Sequence, residues 1–177
     1  CARGPLLGPV FAACVVFEEK DDSKIEGVKD SKRVSKKKRP MLSEQIKKSC
    51  VEYAVGSASV EEIEVLNIRR ATFLAMHRAL DALKTNISHI KVDGDAFKPW
   101  KDVPFTTIVK GDDTIYGISC ASIVCKHAHT LYIKTLVDER PELKKYGLLR
   151  NSGYGTKEHR EAIKEHGLSL IHISEPT

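Results

Sequence analysis

Residues 51–80 read VEYAVGSASVEEIEVLNIRRATFLAMHRAL, and two periodicities meet inside them. Val51, Tyr53 and Val55 alternate with less apolar residues, as a strand does. Ser59-Val60-Glu61-Glu62 then has the form of a capping box, a hydroxyl at the cap and a carboxylate three residues on. Behind it Val65, Ile68, Thr72, Met76, Ala79 and Leu83 step by three or four, which is one face of a long amphipathic helix. Phe73 and Met76 read as core or boundary residues rather than ligand contacts.

The same alternation runs outward in both directions. Upstream, Val10–Phe17 is a continuous apolar run, long enough for one buried strand. Asp21–Lys38 is a charged loop leading into a helix around Lys36–Lys48. Downstream, His89–Val92 is a short strand ending at Asp93-Gly94, and Phe105–Val109 is another, closed by Lys110-Gly111-Asp112. From Tyr116 to Leu136 the pattern is helical; the helix should end near Glu139, with Pro141 marking the break. Ser152–Thr156 reads as a tight loop and Lys157–His166 as a short helix behind it. Interleaved strands and helices make the class α/β.

A chain of 177 residues suits one domain, and no apolar run approaches membrane-spanning length. No secretory signal pattern is visible. The five cysteines (1, 14, 50, 120 and 125) are odd in number and lack CxxC spacing, which favours reduced thiols over a disulfide framework or a zinc site. Cys120 and Cys125 read as small core fillers. The formal net charge is +5, and residues 20–48 alone carry a net +6, so the rest of the chain balances near −1. A basic segment in an otherwise near-neutral protein suggests a polyanion partner; a solvated basic face is the plain alternative.

Six stretches, ARGPLLGPV, VKDSKRVSKKKR, EEIEVLNIRRATFLAMHRAL, VDGDAF, IVKGD followed by SCASIVCK, and NSGYGTKEH, together resemble the type 2 ribonuclease H family, which comprises ribonuclease HII and the ribonuclease H2 catalytic subunit. They stand in family order and span nearly the whole chain to Gly167. The resemblance implies a ribonuclease H-like fold, a central mixed sheet flanked by helices, with a small C-terminal helical segment. It implies an endoribonuclease acting on RNA–DNA hybrids and on the 5′ side of ribonucleotides embedded in duplex DNA, with Mg²⁺ or Mn²⁺ as cofactor. A monomeric cytoplasmic protein without membrane attachment is expected.

Hydrolysing a phosphodiester needs a nucleophilic water and a stabilised leaving alkoxide, and carboxylates hold the divalent ions that serve both. By resemblance Asp93 is the catalytic, metal-holding acid, at the strand end where open α/β sheets place their sites. The resemblance also puts an acid at 130, where this chain has Thr130; Asp112, Asp113, His127 and His129 are neighbours that could substitute. Substrate contacts are implied for Arg3 and Gly4, whose loop meets the ribose 2′-OH, and for Lys32 of the Asp30-Ser31-Lys32 motif near the phosphate backbone. Tyr154 is implied to pack on the sugar beside the scissile phosphate. Thr156 is placed to cap the helix Lys157–His166, whose free N–H groups, with Lys157, suit a phosphate.

Two expectations concern the ends. In the family, Asp-Glu directly precedes the stretch like CARGPL, so the domain over 1–167 is expected to lack most of its first, central strand and two acids. Such a chain should hydrolyse negligibly. Residues 168–177, LSLIHISEPT, fit no packing pattern and resemble a translated sequencing adapter, a non-native tail. A rival reading is a non-catalytic hybrid-binding relative. A generic nucleotide-binding domain would need a GxxxxGK[ST] loop, which the chain lacks.

Overall fold

A computed structural model describes residues 4–18, 24–28, 34–169 and 171–172. Arg3, Asp30-Ser31 and Lys32 lie outside them. In chain order the elements are β1 (Val10–Val16), α1 (Arg39–Ser49), β2 (Glu52–Ala58), α2 (Val60–Asp81), β3 (Ile90–Asp93), β4 (Phe105–Ile108), α3 (Gly111–Thr114), α4 (Tyr116–Glu139), a 3₁₀ turn (Pro141–Tyr146), α5 (Leu148–Asn151) and α6 (Lys157–His166). Helix α1 starts three residues later than the charge pattern suggested, because Pro40 suits a first turn and Lys36–Lys38 form a turn ahead of it.

β1 and β2 pair antiparallel from Val10↔Ala58 to Val16↔Glu52, and β3 and β4 pair parallel from Ile90↔Phe105 to Asp93↔Ile108. Helix α2 covers one face of the first pair through Val10, Ala12, Ala58, Ile63, Ala71 and Ala75. Helices α1 and α4 cover the other through Leu42, Ile46, Cys120, Ile123 and Val124, with Ala13, Val15 and Val55 against them. Cys120 and Cys125 are buried free thiols, the filler role read from their neighbours.

The β2 alternation is real, but its bulky members point away from α2. Ala54, Gly56 and Ala58 are buried, while Tyr53 lies exposed beneath the Lys47 ammonium. The helix backbone comes so close that a Cβ on Gly56 would sit 2.6 Å from the Ala79 nitrogen and nearer still to the Ala75 carbonyl. The capping box at Ser59 and Glu62 forms in both directions. The single stripe expected along α2 does not survive. Asn67 has φ 66° and ψ 162°, its side chain caps the following turn by accepting from Arg70 N–H at 3.1 Å, and the helical phase resets there. Val65 is therefore 84 % exposed, while Ile63 before the kink and Ala71 and Ala75 after it face the core.

The two strand pairs do not meet. β1 has β2 on one edge and β3 has β4 on one edge; among the described residues neither has a strand on the other. A cleft of about 680 Å³ lies between those free edges, lined by consecutive residues Ala12–Glu18 and Ser88–Asp93. A strand face presents alternate residues, so consecutive ones show that each strand lines the cleft with its edge. Met76, Ala79 and Leu80 of α2, Leu83 just past it, Ile115 ahead of α4, and Tyr116–Ile118, Ala121 and Ser122 of α4 also line it.

The C-terminal part is closed. Leu7, Ile133, Val137, Tyr146 and Leu148 are almost wholly buried together. Two residues of the stretch from 168, whose sequence fits no packing pattern, contribute to it: Ile171 joins this cluster, Gly8 N–H donates to the Ile171 carbonyl at 2.8 Å, and His172 is buried. His172 Nε2 lies 3.2 Å from His159 Nε2, and the other His159 ring nitrogen donates to the Tyr154 carbonyl at 3.0 Å. Ser169 N–H donates to His172 Nδ1 at 2.9 Å, so His172 is the donor between the two rings.

Candidate active site and nucleic-acid interface

Asp93 ends β3, where Gly94 at φ 113° turns the chain and donates its N–H to the Ile108 carbonyl at 2.9 Å. One Asp93 carboxylate oxygen accepts from Gly111 N–H at 3.0 Å. A Cβ on Gly111 would meet the Ile118 side chain at 2.7 Å and the Asp93 backbone at 3.6 Å, so the approach depends on glycine. Asp112 is the next residue, mostly buried, its carbonyl held by the Ser119 hydroxyl at 2.6 Å. The parallel β3–β4 register thus brings two aspartates to one strand end, and it does so through the Lys110-Gly111 turn, which the sequence marked only as a strand stop.

The second group of expected residues gathers around Tyr154. Asn151 builds the loop: its amide donates to the Tyr146 carbonyl at 2.7 Å and its oxygen accepts from Gly153 N–H at 2.8 Å. Leu6 N–H donates to the Gly153 carbonyl at 2.8 Å and Pro5 bridges to Tyr154, which presses Gly4 onto the ring. A Cβ at Gly4 would lie 2.9 Å from Tyr154 Cε1. Burial of part of the phenol pushes its pKa above the usual value. Thr156 caps α6 as expected, its hydroxyl accepting from His159 N–H at 3.3 Å. Lys157 stands exposed at the head of that helix, 3.8 Å from Glu161.

Beside Tyr154 is a smaller hollow of about 240 Å³, lined by Lys36, Arg39, Lys126, His129, Thr130, Asn151 and Ser152. Thr130 donates its hydroxyl to the Lys126 carbonyl at 2.8 Å, a bond internal to α4. Asp93 and Tyr154 therefore line different hollows, reached from successive turns of α4: Ser122 borders the first, Lys126 the second, about 6 Å further along the axis. Position 130 lines the tyrosine's hollow, whereas Asp112 directly follows the Gly111 whose N–H holds the Asp93 carboxylate. Among the described residues there is no cluster of three or more histidine, cysteine or acidic side chains placed to hold a metal ion. Two aspartates nevertheless offer the oxygen donors that hard divalent cations take. Sequence reasoning assigned no role to Arg39 or Asn151; their only signal was their place at the end of VKDSKRVSKKKR and the start of NSGYGTKEH.

The family profile described as Ribonuclease HII matches residues 1–172. Ribonuclease HII of Parabacteroides distasonis is 46 % identical over 170 residues, covering 96 % of this chain and 83 % of that one. Ribonuclease HII of Neisseria meningitidis serogroup B is 43 % identical over 170 residues, covering 96 % and 85 %. Among solved structures, ribonuclease HII of Archaeoglobus fulgidus, determined in complex with PCNA, superposes with a TM-score of 0.78 at 23 % identity, over 97 % of this chain and 88 % of that one. Bst ribonuclease HIII in complex with Mn²⁺ gives 0.72 at 16 % identity, over 94 % and 60 %. The solved structures establish the ribonuclease H-like fold, and the sequence matches establish the enzyme class: this chain belongs to the ribonuclease HII family of type 2 ribonucleases H.

Proposed function

We propose that this endoribonuclease cuts the RNA strand of RNA–DNA hybrids, and cuts duplex DNA on the 5′ side of an embedded ribonucleotide, leaving 3′-hydroxyl and 5′-phosphate ends. The observation that carries the substrate reading is the contact of Gly4 with the Tyr154 ring. A flat amphipathic ring beside side-chain-free backbone fits a sugar, and the 2′-OH is what separates RNA from DNA there. Arg3 and Lys32, with the basic segment they belong to, Thr156 and Lys157 add attraction for the phosphate backbone that falls with salt.

Asp93 and Asp112 are the groups that would hold Mg²⁺ or Mn²⁺, and the Mn²⁺ complex of the Bst enzyme, a protein of the same fold, supports an ion of that kind. A bound ion would supply Lewis acidity for phosphodiester hydrolysis. The chain's own part is positional. Gly111 N–H fixes the Asp93 carboxylate, and α4 sets its distance from the sugar platform. The acid expected at 130 is not required for this pair. The cleft beside β1 and β3 is proposed to take one further strand, which would buttress Asp93 from its open side. We further propose a monomeric, cytoplasmic enzyme whose domain covers 1–167, with 168–177 an appended tail.

The test compares the 177-residue chain with one extended ahead of Cys1 by an apolar strand ending in Asp-Glu, both on a hybrid duplex with Mn²⁺. Cleavage by the extended chain, with little by the other, is the expected result. Hybrid binding without cleavage by either would favour the non-catalytic reading.

A further inference from the structure

The basic segment is tied down along α4, and its first tie lies at the Asp93 end of the molecule. Ile25 N–H donates to the Tyr116 hydroxyl at 2.8 Å, and that hydroxyl also meets the Cys120 thiol. Tyr116 is the first residue of α4; its ring leans on Phe17, 5.6 Å between centroids, and borders the cleft that Asp93 lines. Gly27 then turns the chain at φ 89°, and Val28 enters the core, wholly buried with Leu42, Ile46 and Ile123. Val34 returns to the same cluster. Two residues on, Lys36 donates to the Arg150 carbonyl and, at 3.1 Å, to the Ser152 hydroxyl, beside the hollow that Tyr154 lines.

The described parts of the segment therefore keep pace with α4, from its first turn through Cys120 and Ile123 to the Tyr154 corner. Residues 29–38 carry six lysines or arginines against one aspartate, a run that repels itself and needs outside ties to take one course. The valines set how deep the chain sits, but apolar contact has no direction. The hydrogen bond at Tyr116 supplies one. The head of α4 serves the acids as well: Ile118 packs on Gly111, whose N–H holds Asp93, and the Ser119 hydroxyl holds the Asp112 carbonyl.

We infer that Tyr116 is a positioning residue for nucleic-acid binding: by fixing Ile25 it sets the basic segment along α4, so that the segment's cations meet phosphates in register with both Asp93 and Tyr154. The inference rests on the function proposed above and deepens it. Tyr116 acts through the backbone of Ile25 and touches no reacting atom. Without its hydroxyl the segment still attracts a polyanion, but it must be ordered when the nucleic acid binds, and that cost falls on affinity. Held phosphate contacts set register; loosely held cations give attraction without it.

The test uses the 177-residue chain and a short RNA–DNA hybrid, with binding read by fluorescence anisotropy at several salt concentrations. Tyr116→Phe keeps the ring and removes the hydroxyl. It should speed exchange of the Ile25 amide and weaken hybrid binding about fivefold to tenfold. The slope of log K against log salt should shrink by about 1, the size of one phosphate contact. Tm should fall by no more than about 4 °C, as for a single lost hydrogen bond. Ser59→Ala, at the far end of the fold's other long helix, should lower Tm similarly and leave affinity and slope unchanged. Val28→Ala, which keeps the hydroxyl but loosens the same tie, should reproduce the loss of affinity and slope. A folded Tyr116→Phe chain with unchanged affinity and slope overturns the positioning role and leaves the proposed function standing, as does an Ile25 amide that exchanges no faster. No hybrid binding by the unaltered chain overturns the function itself, on which the role rests.

Discussion

The Asp93 edge and the Tyr154 corner stand one helical turn apart on α4 and are built on opposite terms. The corner is closed: Asn151 ties its loop at both ends, His159 holds the Tyr154 carbonyl, and Leu7 and Tyr146 fill the space beneath. The edge is open. The Asp93 carboxylate is held by Gly111 N–H, and the flank of its strand gives onto a large apolar cleft. Recognition can thus be rigid while the Asp93 strand has, among the described residues, no strand on one flank, because the two regions draw on different packing clusters.

The largest way to break this contrast is to fill the cleft. A strand of about five apolar residues between β1 and β3 would gain ladder bonds on both edges and bury side chains against α2 and α4. At about 1.5–3 kcal/mol per buried large side chain, less the entropy of ordering the strand, the gain should be on the order of 5 kcal/mol. An extended chain, or an apolar peptide added in trans, should raise Tm and protect the β3 amides from hydrogen exchange. No change in either would mean the two half-sheets are complete as they stand.

The converse is to open the corner. Leu7 is fully buried where the N-terminal loop meets Ile133, Val137 and Tyr146. Leu7→Ala should cost about 3 kcal/mol by chemical denaturation, and should loosen Gly4 from Tyr154, weakening hybrid binding more than metal binding. A loss shared equally by both would show that corner and edge are one cooperative unit.

How far these regions were legible in the sequence follows the same division. Local chemistry could be read directly: the Ser59–Glu62 box, the Thr156 cap and the spans of β1, β2, α4 and α6 all stand where the pattern put them. What failed depended on tertiary contact. The α2 stripe went out of phase at Asn67, a residue whose positive φ nothing in the spacing announces. The bulky side of β2 proved to be the one away from α2, since only glycine and alanine fit under that helix. Asp112 could not be paired with Asp93 until the parallel register of β3 and β4 was known, and attention to position 130 followed from motif matching alone. Arg39 and His129 lie 90 residues apart in sequence, and no local pattern joins them.

A smaller effect separates the regions by pH. Burial, with Arg39 nearby, pushes the His129 pKa down to about 4, so the folded chain holds that ring neutral. In the unfolded chain it titrates near 6.5. The unfolded state therefore binds the extra proton first as the solution is acidified: this contribution to stability is fully present above about pH 6.5 and is lost as pH falls toward 4. The whole loss amounts to at most about 3 kcal/mol for a shift of that size, and the part complete by pH 5 is roughly 2 kcal/mol. His129→Gln should flatten the stability profile between pH 6.5 and 4 by that amount. His172, also lowered to about 4 by burial and by His159, should leave a second slope in the same window.

The smallest effect tests the helix that covers both β1 and β2. Ser59→Ala removes the hydroxyl that accepts from Glu62 N–H at 3.2 Å, while the Glu62 carboxylate keeps its bidentate pairing with Arg78 and its bond to Ser59 N–H. The loss should be about 1 kcal/mol, confined to the first segment of α2, because Asn67 caps the second on its own. Hydrogen exchange should then speed up for the α2 amides before Asn67 and stay unchanged after Arg70. Uniform acceleration along α2 would mean that the kink does not divide the helix energetically and that the cleft wall and the β2 cover rise and fall together.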